Sequence, residues 1–304
     1  MRRKLLHVAV LMVVAMAGCA LDPVGLLLSN QGLGSLIESG PDYLLFDYDP
    51  GELLRVVQPD NTLLDSYVRR PAAIDRHAAV LVLHGATPQF IRTSTDHAAW
   101  FGLAANRYLA DAGYTVVSLD YPETSSPLLT GDLTAALHMG EWLQQHGLEV
   151  FGTRRLYVLG LSRGAILAQH VNLHLAVDGV VSLAGVTDFE NLDLTDFSND
   201  ENVNNMVLLA RAYYGEYDEA PEIWRQLSTV NRVDEMLARM LVVHGTADGT
   251  VPVDQAIRLE RAARQSGRSD ITFHYVSGAG HWAFMLPEVH QVIQGYLMKL
   301  DGAD

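Results

Sequence analysis

Six short apolar runs recur along this 304-residue chain, and none of them alternates with polar residues: Ala79–Leu83, Thr115–Leu119, Leu156–Leu159, Gly179–Leu183, Met240–Val243 and Ile271–Val276. A strand with one wet face alternates. A strand buried on both faces does not, and such strands belong to parallel sheets covered by helices. Each run stops at a turn: His84-Gly85, Asp120-Tyr121-Pro122, Gly160, Ala184-Gly185, His244-Gly245 and Gly278-Ala279-Gly280. Helical stretches are predicted between the runs, at Asp96–Asp111, Asp132–Gln145, Arg163–Leu175, Pro252–Gln265 and Pro287–Leu300. The second of these places Leu133, Ala136, Leu137, Gly140 and Leu143 on one face. Strand–helix alternation with short loops predicts one doubly wound, mostly parallel α/β domain over residues 43–304. Tyr43–Tyr48, Leu53–Val57 and Leu63–Val68 are short β-rich runs that give the sheet an antiparallel start.

One stretch breaks the alternation. About 55 residues separate the strand ending near Ala184 from the one beginning near Met240, more than a simple crossover needs. Glu201–Tyr214 and Glu219–Leu227 read as helices within it. A small helical cap insertion at about 186–238 would sit above the carboxyl ends of the strands, where open α/β sheets bind ligands. The alternative is a surface excursion with no part in binding.

The N-terminus stands apart from this pattern. Arg2, Arg3 and Lys4 precede an apolar run from Leu5 to Ala17, too short to span a bilayer as a helix and suited to a signal peptide over residues 1–18. Cys19 is the one cysteine, which excludes a disulfide within the monomer. Met16-Ala17-Gly18-Cys19 resembles the bacterial lipobox, in which the cysteine is lipidated and becomes the new N-terminus. An ordinary signal cut after Ala15-Met16-Ala17 is the alternative. Residues 19–42, with Asp22-Pro23 and Gly40-Pro41, read as a tether. Ala20 follows the cysteine, and by that resemblance the protein is expected to be exported and held by its lipid at the outer membrane, facing the periplasm. The formal charge of −15 and the lack of a basic patch beyond the first four residues argue against nucleic acid as a partner.

The chemistry centres on Gly160-Leu161-Ser162-Arg163-Gly164, a G-x-S-x-G pattern between a strand, Leu156–Leu159, and a helix that starts near Ala165. A serine hydroxyl is a weak nucleophile unless the fold exposes it and supplies a base. A strained strand–turn–helix elbow exposes it, with small residues on either side. Twelve histidines compete for the base. His281 follows the side-chain-poor Gly278-Ala279-Gly280 loop after the last strand, so its imidazole can reach back across the sheet edge to Ser162. His84 and His244 end strands before glycines and are expected to shape loops. His170 and His174 lie four apart without the intervening Glu or third ligand of a zinc site and read as helix-surface residues. Asp248, in a glycine-flanked turn after the strand Met240–Val243, would orient the base and complete the order Ser…Asp…His. Asp188 is its competitor, and a helix cap its structural alternative. An oxyanion hole needs two backbone N–H groups: Arg163 supplies one, and Ala86, or Thr87, supplies the other from the loop His84-Gly85-Ala86-Thr87. This chemistry requires no metal and no cofactor.

Leu83-His84-Gly85, Gly160–Gly164, His244–Asp248 with Val251-Pro252-Val253-Asp254-Gln255, and Gly280-His281 together resemble the catalytic domain of prolyl-oligopeptidase-like serine hydrolases and their dienelactone-hydrolase-like relatives. Gly185-Val186-Thr187-Asp188-Phe189 and Tyr213-Tyr214-Gly215 are similar to that group as well. The resemblance spans residues 78–300 and implies the α/β-hydrolase fold, with Ser162, Asp248 and His281 as the triad. The chain departs from the pattern after His84-Gly85, where Ala-Thr replaces the common Gly-Gly or Gly-Pro. Asp120-Tyr121-Pro122-Glu123 stands where Arg-Gly-Ser is often found, and the stretch before residue 78 is too short for a β-propeller. The expected activity is therefore cleavage of a small ester through an acyl-enzyme. A serine peptidase, or a lipid-anchored binding protein on the same fold, is the alternative.

Overall fold

The computed structural model describes residues 51–58, 60–86, 94–121, 129–192, 208 and 210–302. The signal segment, Cys19, the tether, the run Tyr43–Tyr48 and Thr87 lie outside the described residues. Among the described residues, eight strands form one sheet: β1 Glu52–Val57, β2 Leu63–Arg69, β3 Ala78–Leu83, β4 Thr115–Leu119, β5 Arg155–Leu161, β6 Gly179–Leu183, β7 Met240–Gly245 and β8 Ile271–Val276. Their order is β1-β2-β4-β3-β5-β6-β7-β8. β1 pairs with β2, and β2 with β4, antiparallel; every other neighbour is parallel. The expected antiparallel start followed by a parallel sheet is therefore what the chain builds, and the strand bounds fall within a few residues of the apolar runs.

The missing alternation has its physical reason in the layering. All residues of β3, β4, β6 and β7 are buried. On one face Leu81, Leu83, Val117, Val158 and Val180 pack against helices α3 Gly131–Phe151 and α4 Arg163–His174. On the other, Val80, Val82, Val116, Leu159 and Val181 pack against helices α1 Ser94–Trp100 and α2 Arg107–Asp111 and the C-terminal helix. The edges of the sheet keep wet positions: Leu53, Val57 and Leu63 are exposed on the antiparallel side, and Thr272 on β8 at the other.

Two helices differ from the sequence reading. The stretch expected as one helix over Asp96–Asp111 is α1, a π-helical turn at Phe101–Ala105 and α2. Asn106 causes the break: its backbone amide and its Nδ2 both donate to the Phe101 carbonyl, at 3.0 and 2.9 Å, so the ladder widens by one residue. The helix expected to end at Gln145 continues to Phe151, which is buried against the core. The remaining helices are α5 Pro221–Leu227, α6 Asp254–Gln265 and α7 Pro287–Asp301.

Between β6 and β7 the chain leaves the sheet. Residues 210–214 and α5 are helical. Val186, Phe189, Leu192, Ala210, Trp224 and Leu227 form a separate apolar cluster with Ile166 of α4 and Val251. That cluster packs on Ile166 in the first turn of α4, four residues after Ser162.

Candidate active site

Ser162 lies between β5 and α4 with φ +54° and ψ −115°. A non-glycine residue with positive φ is uncommon, and this pair of angles is strained. The surroundings hold it there. The Ser162 amide donates to the Leu183 carbonyl of β6 at 2.8 Å, and the Ser162 carbonyl accepts from the amides of Ala165 and Ile166 as the first turn of α4. The flanking glycines have a steric reason: a Cβ on Gly160 would overlap the Gly164 carbonyl, and a Cβ on Gly164 would overlap the carbonyls of Leu83 and His84. The elbow is thus wedged against the end of β3. Ser162 itself is only partly buried.

The end of β3 carries the second part of the site. A Cβ on Gly85 would stand 3.3 Å from the Ser162 Cβ, so the loop to which Ala86 belongs runs directly over the elbow. His84 shapes this loop, as expected: its Nδ1 is 2.8 Å from the Gly85 oxygen, its ring stacks on Tyr121 at 4.3 Å, and the Tyr121 hydroxyl donates to its carbonyl. Arg163 follows Ser162 as the first residue of α4, so its amide stands at a helix N-terminus. Its side chain turns away into a buried ion pair with Asp132 at the start of α3, 2.7 Å long. Burial pushes the Asp132 carboxyl up, against the opposing pull of Arg163.

The loops after β7 and β8 bring Asp248 and His281 together. The Asp248 Oδ2 is 2.8 Å from the His281 Nδ1. Backbone contacts lock the two loops in register: Thr246 N–H donates to the Val276 carbonyl, Ala247 N–H to the Ala279 carbonyl, and Gly278 N–H to the Thr246 hydroxyl at 2.8 Å. Gly245 permits this approach, since a Cβ there would overlap the Ala279 carbonyl. The other Asp248 oxygen accepts from the amides of Thr250 and Val251, each at 2.9 Å, so the aspartate caps its own turn and not helix α6. Burial alone would raise the Asp248 carboxyl; the His281 imidazole and the hydrogen bonds from His244 and His281 overcome it and hold the group well below the usual carboxylate range. Asp248 is therefore ionised at neutral pH, as an orienting acid must be. Asp188, the competitor, pairs with Arg258 at 3.0 Å and accepts from Asn191.

Two histidines depart from the sequence reading. His170 is not on the surface: it is buried, with its Nε2 3.1 Å from the Leu227 carbonyl, because the covering segment packs over α4 and buries all but the last residue of that helix. His174 alone of the pair is exposed. His244 shapes its loop, with Nε2 2.8 Å from the Val251 carbonyl, but the same nitrogen lies 3.3 Å from the Asp248 Oδ2. The sequence reading missed this second contact on the acid. A histidine four residues before the aspartate, at the end of the same strand, was its only trace.

Comparison with known proteins agrees with this architecture. Residues 64–262 match the family model described as BD-FAE. Esterase LipC of Mycobacterium tuberculosis is 27% identical over 200 residues, covering 59% of this chain and 48% of LipC, so the match spans about half of that relative's length. Among solved structures, brefeldin A esterase, a bacterial homologue of human hormone-sensitive lipase, superposes with a TM-score of 0.65 at 22% identity, covering 92% of this chain and 86% of its own. A Mycobacterium tuberculosis puromycin-hydrolyzing peptidase gives 0.65 at 15% identity, covering 86% of this chain and 40% of its own. At these identities the structures speak for the fold. The family model reaches from β2 into α6, through the elbow and the acid turn, and the chain belongs to the BD-FAE family of α/β-hydrolases.

Proposed function

We propose that this protein is a serine hydrolase that cleaves carboxylic esters through an acyl-enzyme. The observation that carries the reading is the ionised Asp248 hydrogen-bonded to His281 on the same sheet end as a strained, partly exposed serine. With Nδ1–H donating to Asp248, Nε2 is the basic nitrogen of the His281 ring. Ser162 Oγ attacks the ester carbonyl carbon while its proton passes to His281 Nε2. The carbonyl π bond opens to an oxyanion facing the amides of Arg163 and Ala86. Collapse of that intermediate breaks the bond to the alkoxy oxygen, which leaves with the proton from His281. Water then repeats the attack with His281 as base, the bond from the acyl carbon to Ser162 Oγ breaks, His281 returns the proton to that oxygen, and the acid departs. Asp248 stabilises the imidazolium in both halves and keeps its own charge.

An ester substrate is favoured over a peptide by Esterase LipC and brefeldin A esterase as relatives. A fluorophosphonate probe is expected to label the purified protein at Ser162, and nitrophenyl esters to turn over while peptide amides do not. Ser162→Ala should abolish labelling and lower kcat by roughly a millionfold, as loss of a triad nucleophile does. Labelling that survives Ser162→Ala would refute the assignment. Turnover of peptide amides would move the reading to a peptidase.

A further inference from the structure

His244 is the penultimate residue of β7 and is buried. A carbonyl oxygen only accepts, so the 2.8 Å contact with Val251 requires the proton on His244 Nε2. The same nitrogen lies 3.3 Å from Asp248 Oδ2. Nδ1 is buried and has no hydrogen-bond partner among the described residues. A second proton placed there would be a buried donor without an acceptor, which is unfavourable. The ring therefore serves as a neutral donor. That matters because a cationic imidazole this close would cancel the charge through which Asp248 acts on His281.

We propose that His244 is a positioning residue for the acid–base pair: one neutral N–H, shared between the Val251 carbonyl and Asp248 Oδ2, fixes the carboxylate plane and takes up part of the charge that would otherwise fall on His281. The inference rests on the reading of Asp248 and His281 as acid and base. The carboxylate is held from every side: Oδ1 by the amides of Thr250 and Val251, Oδ2 by His281 and His244. Removing His244 leaves His281 as the sole side chain on Oδ2, so the negative charge concentrates there and the imidazolium gains stability. Among the described residues, the neighbouring ionisable groups are already engaged. Tyr275, paired with His244 across β8, donates to Glu260 at 2.7 Å, and Asp188 and Asp254 are both held by Arg258.

The test compares the full chain with His244→Phe, which fills the space without a donor, and His244→Gln, which restores an N–H at similar reach. The pH at which His281 titrates is followed by NMR, and kcat and KM for nitrophenyl acetate are measured across pH. In His244→Phe, His281 is expected to titrate about one unit higher, as loss of a hydrogen bond to its counter-charge implies. The acid limb of kcat/KM should move with it, and kcat should fall with KM unchanged, since His244 is too deeply buried to touch substrate. His244→Gln should return the titration to that of the unaltered protein. The proposal is overturned if His281 titrates alike in His244→Phe and the unaltered protein, or if the Gln variant keeps the Phe variant's shift. A 15N spectrum of the unaltered protein showing His244 protonated on both nitrogens at pH 7 would overturn it too, and needs no variant to fold. The NMR arms need no turnover, so a chain that hydrolyses nothing would remove the catalytic reading while still reporting the His244–Asp248 link.

Discussion

Ser162 holds its φ of +54° through neighbours that cannot move: β6 on its amide and the end of β3 beneath Gly164. Strain of this kind is stability given up for a site, and it can be measured. Ser162→Ala and Ser162→Gly both remove the hydroxyl, but only glycine accepts positive φ without a Cβ penalty of about 1–2 kcal/mol. Against this stands the greater chain entropy of unfolded glycine, about 0.5–1 kcal/mol. The glycine variant is thus expected to unfold at a higher temperature than the alanine variant, by a degree or two in a chain of this size, since about 1 kcal/mol moves a large domain by roughly 2–4 °C. A Gly variant that melts below the Ala variant would mean that the elbow is not strained. At this scale the sequence was most legible where geometry demands residue types. The glycines around Ser162 and the meeting of Asp248 with His281 were visible because sterics and chemistry leave few substitutes there. His244 was not, because nothing in a strand-ending His-Gly pair tells which way its second contact points.

Elements were legible where both faces are buried and blurred where something unforeseen packs on them. The parallel strands announced themselves through unbroken apolar runs, whereas His170 of α4 read as a helix-surface residue. That reading failed because the segment between β6 and β7 seals the outer face, and a long irregular excursion has no periodicity to foretell where it lands. The π-helical turn at Phe101–Ala105 was equally hidden, since it follows from one asparagine doubling its bonds to Phe101. The sealing of α4 has a consequence for pH. Burial pushes His170 down to about 4, while its bond to Leu227 pulls the other way. In the unfolded chain the imidazole titrates near 6.5. As pH falls from about 6.5 to about 4 the unfolded state takes up a proton that the folded state refuses, so stability declines across that window, by up to roughly 3 kcal/mol from this group. His170→Gln keeps a donor for Leu227 and removes the titration. Its melting temperature should fall less between pH 7 and pH 4.5 than that of the unaltered protein. His97 and His290, both lowered by burial, leave a residual slope of the same sign. Equal losses in the two proteins would show that His170 is not sealed in.

On the scale of the whole molecule, the two ends of the sheet divide the work. The carboxyl ends of β3, β5, β7 and β8 lead into the loops of Ala86, Ser162, Asp248 and His281. The amino ends are closed by one residue that no motif marked, Asp301, the last of α7. Its carboxylate accepts from the Tyr114 and Tyr157 hydroxyls, each at 2.7 Å, and from Arg155 at 2.9 Å. Burial and the bond to Asp301 raise both phenols, so they remain donors at any physiological pH. Since α7 follows the His281 loop, this clamp fixes the far end of the helix into which that loop leads. A strand of six residues is about 20 Å long, which puts the clamp well beyond contact with substrate. Asp301→Ala leaves buried hydroxyls without an acceptor, at about 1–3 kcal/mol for each unsatisfied group. The variant should therefore unfold at clearly lower urea concentration while its kcat and KM at 25 °C stay those of the unaltered protein, and Asp301→Asn, which still offers an acceptor oxygen, should fall between. An unchanged urea midpoint would show that the clamp contributes nothing. A drop in kcat in a fully folded Asp301→Ala would show instead that the two ends of the sheet are mechanically coupled through α7, and that the site depends on how its last helix is anchored.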